Sequence, residues 1–96
     1  MQQKYDLREF VDIPTRQSTL SALVERAKAC RKARGLSQKQ LAERSGVSYA
    51  SVRRFETQGE ISLSSLLRIA QALDRLQDLD ALFRAKPVTE LKELFQ

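Results

Sequence analysis

The chain has 96 residues, with 30% charged and 42% hydrophobic side chains and a formal net charge of +5. That size holds one domain with one modest core, and the balance is that of a globular chain rather than a disordered one. No apolar run is long enough to span a membrane, the single cysteine, Cys30, excludes an internal disulfide, and the lack of histidine removes the usual zinc frameworks. The opening MQQKYDLREF holds no apolar stretch of a secretion signal. A cytoplasmic protein without metal or cofactor is expected.

Residues 1–17 read as an arm, with Leu7, Phe10, Val11 and Ile13 scattered around Pro14. From Thr15 or Ser18 the pattern turns helical: Leu20, Leu23, Val24, Ala27, Cys30 and Ala33 fall on one stripe at spacings of three and four. Cys30 on that stripe is expected to pack as a small hydrophobe. Gly35 stops the helix just beyond its last turn. Ser37 opens the next one, and Gln40 completes a Ser-x-x-Gln capping box, with Leu41 and Ala42 as the apolar positions.

Gly46 and Val47 make a break, and Ser48 can cap a third helix that turns Val52 and Phe55 inward. Gly59 ends it. Ser62 opens a fourth, in which Leu63, Leu66, Leu67, Ile69, Ala70 and Leu73 are dense enough to be largely buried. Leu76, Leu79, Leu82 and Phe83 suggest a fifth, and Val88, Leu91, Leu94 and Phe95 after Pro87 suggest another turn or two. All three glycines fall between expected helices, and no segment keeps a strand period for more than a few residues. The fold class is therefore all-α, with an arm over 1–17, a domain over 18–84 and a tail over 85–96.

Charge is unevenly spread. Between Arg26 and Arg54 stand nine basic residues (Arg26, Lys28, Arg31, Lys32, Arg34, Lys39, Arg44, Arg53, Arg54) against one acid, Glu43. From Ile61 onward there are five of each sign. A basic half beside a neutral half is the electrostatic footprint of a phosphate-backbone binder.

The spacing of Ala42, Gly46 and Val52 sharpens that expectation. Two helices that cross steeply through a short turn need a small residue at the crossing, here Ala42. They need tolerance of positive φ in the turn, here Gly46, and an apolar residue of the second helix aimed at the core, here Val52. The stretch "RAKACRKARGLSQKQLAERSGVSYASVRRFETQGEISLSSLLRIAQALD" resembles the lambda-repressor-like (Cro/CI, XRE) helix-turn-helix family. The resemblance rests on Arg-x-x-x-Gly-Leu-Ser-Gln-x-x-Leu-Ala, Gly-Val-Ser, Phe-Glu and the Ser-Leu-x-x-Leu-Leu-x-Ile-Ala-x-Ala-Leu helix. It implies a compact bundle of four or five helices whose third helix enters the DNA major groove. The chain departs from the pattern at Thr57-Gln58-Gly59, one residue longer than the common Glu-x-Gly, and at Asp74-Arg75, where Gly-Val is usual.

At roughly 100° per residue, an inward Val52 and Phe55 leave Ala50, Arg53, Arg54 and Thr57 outward, with Ser48 and Tyr49 at the leading edge and Ser51 beside them. Arg53 and Arg54 suit guanine, because the guanidinium fork matches its O6/N7 acceptor pair. Tyr49 could pack on a sugar or a thymine methyl, and Ala50 leaves room for close approach. By resemblance, Gln38 holds a phosphate. By resemblance too, Arg31 and Glu56 form a partly buried ion pair, Arg31 also touching the DNA backbone.

No nucleophile–base pair, metal cluster or phosphate-cradling glycine loop is present in the sequence, so an enzyme is not expected. The expected function is sequence-specific binding of double-stranded DNA at an inverted-repeat operator, as a repressor and a homodimer. Leu79, Leu82 and Phe83 with the tail are the first candidates for the dimer contact, and the arm is the competing one. The alternatives are an antitoxin that represses its own operon and binds a toxin, for instance a HipA-like kinase, or an interaction module on the same fold.

Overall fold

Thr15 and Ser18, the two candidate starts of the first helix, are the two halves of one capping box. Thr15 Oγ1 accepts the Ser18 N–H at 3.0 Å and Ser18 Oγ accepts the Thr15 N–H at 2.9 Å. They open α1 (Arg16–Ala33) in a structure, a computed structural model, that describes residues 13–85. The arm residues Leu7, Phe10 and Val11 and the tail residues Val88, Leu91, Leu94 and Phe95 lie outside the described residues.

Four more helices follow: α2 (Gln38–Ser45), α3 (Tyr49–Gln58), α4 (Leu63–Ala72) and α5 (Leu76–Asp80). Among the described residues there is no strand. The expected caps are in place. Ser37 and Gln40 form the reciprocal box at α2, while Ser48 and Ser62 accept the third amide of α3 and α4. α1 ends in a Schellman motif: the Gly35 N–H reaches Lys32 O at 2.9 Å and the Leu36 N–H reaches Arg31 O at 3.1 Å.

α2 packs on α3 and α4, α1 on α3, and α5 on α4. Leu41, Val52 and Ile69, from α2, α3 and α4, are almost wholly enclosed, so these helices share one core with Val24, Leu36, Val47, Phe55 and Leu73. Each such side chain contributes about 1.5–3 kcal/mol of burial, which outweighs the modest propensities of helices this short. Ala42 is buried where α2 meets α3, as the motif requires.

Several expectations are corrected. Ala33 is exposed, and the buried residues of α1 are Val24 and Arg31. Leu63 is 67% exposed and Leu67 38%; the core side of α4 and its cap is formed by Ile69 and Leu73, with Leu66 and Ala72 packed against them. α5 stops at Asp80; Leu82 and Phe83 fall in i→i−3 turns, Phe83 with φ +65°. The additional residue at Thr57-Gln58-Gly59 does not lengthen a loop. It is absorbed into α3, which runs to Gln58 and closes on Gly59, whose N–H reaches Phe55 O at 2.9 Å.

Candidate nucleic-acid interface

α3 exposes the face expected of it. Val52, Phe55 and Glu56 are buried, whereas Ser48, Tyr49, Ala50, Arg53, Arg54 and Thr57 are exposed and Ser51 is half-buried. The Ser48 hydroxyl is occupied locally: it accepts the Ser51 N–H at 3.1 Å and donates to Ser51 Oγ at 2.9 Å. The Thr57 hydroxyl donates to Arg53 O at 2.8 Å, along the helix axis. Gly46 holds φ +75° at the turn, and its N–H closes on Ala42 O.

Two side-chain clusters join α3 to its neighbours. In the first, Arg31 Nε and Nη2 donate to the two oxygens of Glu56 at 2.8 and 3.0 Å. Arg31 Nη1 donates to Leu36 O at 2.8 Å, and Gln38 Nε2 donates to Glu56 Oε1 at 2.8 Å. Burial pushes the Glu56 carboxyl up, but the bonds from Arg31 and Gln38 and the charges of Arg31 and Lys28 outweigh it and hold the carboxyl below its ordinary value. The expected ion pair is therefore present and more enclosed than expected. Arg31 itself is turned into the domain, where Nε, Nη1 and Nη2 each donate a hydrogen bond, and it holds Glu56, which Gln38 also contacts.

The second cluster was not foreseen. Lys39 Nζ lies 5.4 Å and Arg53 Cζ 5.5 Å from the centroid of the Tyr49 ring, so one aromatic side chain carries a cation from α2 and one from α3. Arg53 and Tyr49 are four apart on one helix, which the sequence shows. Lys39 is ten residues from Tyr49, and only the turn at Gly46 brings them together.

The basic stretch is also partly neutralised. Arg31 pairs with Glu56, Lys28 with Glu25 and Arg34 with Asp74. Lys39, Arg44, Arg53 and Arg54 have no ion-pair partner among the described residues, and all four are exposed on α2 and α3. Arg16, Arg26 and Lys32 on α1 and Arg68 on α4 are exposed and unpaired among the described residues as well, so α2 and α3 carry part of a wider positive surface.

A cleft of about 360 Å³ lies elsewhere, between α1, α4 and α5. It is mainly apolar, with Leu23, Ala27, Leu66, Leu73 and Leu79 among its walls. Cys30 also lines it, half-buried rather than enclosed, with Sγ accepting a hydrogen bond from Arg75 Nη1 at 3.3 Å. None of the exposed α3 residues contributes to it.

No helix among the described residues is long and apolar enough to cross a membrane, and no group of them could hold a metal ion. No curated protein and no solved structure matches the chain. A family model described as helix-turn-helix matches residues 28–79, more than half of the chain, from within α1 to within α5 and across both clusters. With five helices arranged around the Ala42, Gly46 and Val52 turn, the chain belongs to the lambda-repressor-like (XRE) helix-turn-helix family of DNA-binding regulators.

Proposed function

We propose that the protein represses transcription by laying α3 in the major groove of an inverted-repeat operator, as a homodimer. The observation that carries this reading is the exposed face of α3, where Arg53 and Arg54 stand without acidic partners among the described residues. Ala50 gives that face a low point for close approach to the bases. Arg54 is the base reader, its fork suited to guanine. Gln38 holds a phosphate with the second N–H of the carboxamide that Glu56 already anchors. Selection of duplexes from a random pool, followed by titration across salt concentrations, tests the reading. A dimer making about six phosphate contacts loses about a thousandfold in affinity between 50 and 200 mM salt. Affinity that stays flat would defeat the reading.

The apolar cleft favours a second reading, an antitoxin that represses its own operon while holding a toxin such as a HipA-like kinase. Co-expression with the product of an adjacent gene separates the two: a stable stoichiometric complex supports the antitoxin, and its absence leaves the plain repressor.

A further inference from the structure

Lys39 and Arg53 carry the same charge, come from different helices and converge on one ring. Their cationic centres, 5.4 and 5.5 Å from the Tyr49 centroid, are within about 11 Å of each other, close to the screening length at moderate salt. Neither has an ion-pair partner among the described residues. The negative face of the ring offsets part of their repulsion but carries no net charge to neutralise them. Tyr49 also opens α3, so the positive end of that helix dipole adds to the same local field. An anion within reach of both cations completes the balance.

We infer that Lys39, Tyr49 and Arg53 form a preorganised seat for one backbone phosphate of DNA, so that Arg53 positions α3 and leaves base reading to Arg54. The inference rests on the DNA-binding reading above and revises the expectation that both arginines reach guanine. A phosphodiester offers one negative charge and two free oxygens, which suit a compact ammonium and a planar fork together. A base-reading arginine must extend its fork into the groove to meet O6 and N7. The Arg53 guanidinium is instead drawn to the Tyr49 ring, while Arg54 has no such tether among the described residues. Holding Lys39 and Arg53 before DNA arrives lowers the ordering cost of the contact, which is what preorganisation contributes to affinity.

The test uses the full chain, the duplex recovered from a random pool, and single-base variants of that duplex, each titrated over a salt series. Arg53→Ala and Lys39→Ala should each weaken every duplex by the same factor and reduce the salt slope by about one for each bound subunit. Tyr49→Phe, which keeps the ring, should lose less affinity than Tyr49→Ala. Tyr49→Ala should weaken binding without changing base preference. Arg54→Ala should relax preference at one base pair. All these positions are exposed, and melting curves check that each variant folds. Relaxed preference at one base pair in Arg53→Ala would overturn the seat while leaving the DNA reading intact, and so would parental affinity in Tyr49→Ala. Failure of the parent chain to recover any duplex would overturn both.

Discussion

Glu56 keeps its charge inside the domain because three donors surround it, two from Arg31 and one from Gln38. The side chains of Arg31 and Glu56 are only 9% and 3% exposed, so removing one partner leaves the other charge enclosed and uncompensated. Glu56→Ala should therefore cost about 3–5 kcal/mol, far more than a surface pair would. Thermal unfolding followed by circular dichroism measures it, and an unchanged melting curve would show that the pair contributes nothing. The pH dependence follows from the lowered carboxyl. A group whose pKa falls on folding stabilises the native state above its unfolded value, here near 4.5, and that contribution is lost as pH drops through the folded value. The parent chain should hold this contribution above about pH 5 and lose it on further acidification. Glu56→Gln, which cannot ionise, should melt lower at neutral pH and lose less on acidification. Equal acid losses in both chains would place the sensitivity elsewhere.

The ends of the helices separate two roles that a glycine can have. A Cβ at Gly46 would meet nothing within 4 Å, so Gly46→Ala should cost only the left-handed conformation, about 1–2 kcal/mol. At Gly59 a Cβ would also lie 2.9 Å from Leu20 Cδ2, so Gly59→Ala should cost more. Shortening Leu20 to alanine in the same chain should recover the excess, and equal costs at the two glycines would contradict the close contact. Asp74 presents the converse case. It sits at φ +58° in the Schellman motif that ends α4, the place usually held by glycine, with the Arg75 N–H on Ala70 O at 2.8 Å. Its pair with Arg34 is largely exposed and worth at most about 1 kcal/mol. Asp74→Gly should therefore stabilise the chain, by up to about 1 kcal/mol, in the same melting assay.

The caps at Ser37, Ser48 and Ser62 were legible because they are local: Ser37 with Gln40 needs only four residues of sequence. The apolar faces were less so. Periodicity places Leu63 and Leu67 on a stripe of α4 but does not say whether another element covers that stripe, and no described one does. The family spacing marks Thr57-Gln58-Gly59 as one residue longer than usual, and the helix takes up that residue without disturbing Val52 or Phe55. At the site, the outward set on α3 followed from helical geometry alone. The Lys39 contact with Tyr49 did not, because it joins two helices through a turn whose angle the sequence does not state.

Across the whole molecule, polarity is divided by surface. Lys39, Arg44, Arg53 and Arg54, unpaired among the described residues, lie on α2 and α3, whereas Leu63, Leu67, Leu76, Leu82 and Phe83 expose apolar area on or beyond α4 and α5. An exposed apolar patch of this kind suits a protein contact. A recognition helix reads only a few base pairs, and two copies placed about 34 Å apart read two half-sites one turn of DNA apart. The proposed dimer predicts that the full chain sediments at twice its 11.0 kDa mass, and that a chain ending at Arg84 dissociates more readily if the tail contributes. An unaltered dimer would move the contact to α4, α5 or the arm, and a full-length monomer on and off DNA would defeat dimerisation. The separation of cleft from recognition surface has a further consequence over evolutionary time. The cleft between α1, α4 and α5 shares none of its walls with the exposed face of α3. After a gene duplication, substitutions at Ala50 and Arg54 could therefore redirect one copy to a new operator, while any assembly built through the cleft passes unchanged to both descendants.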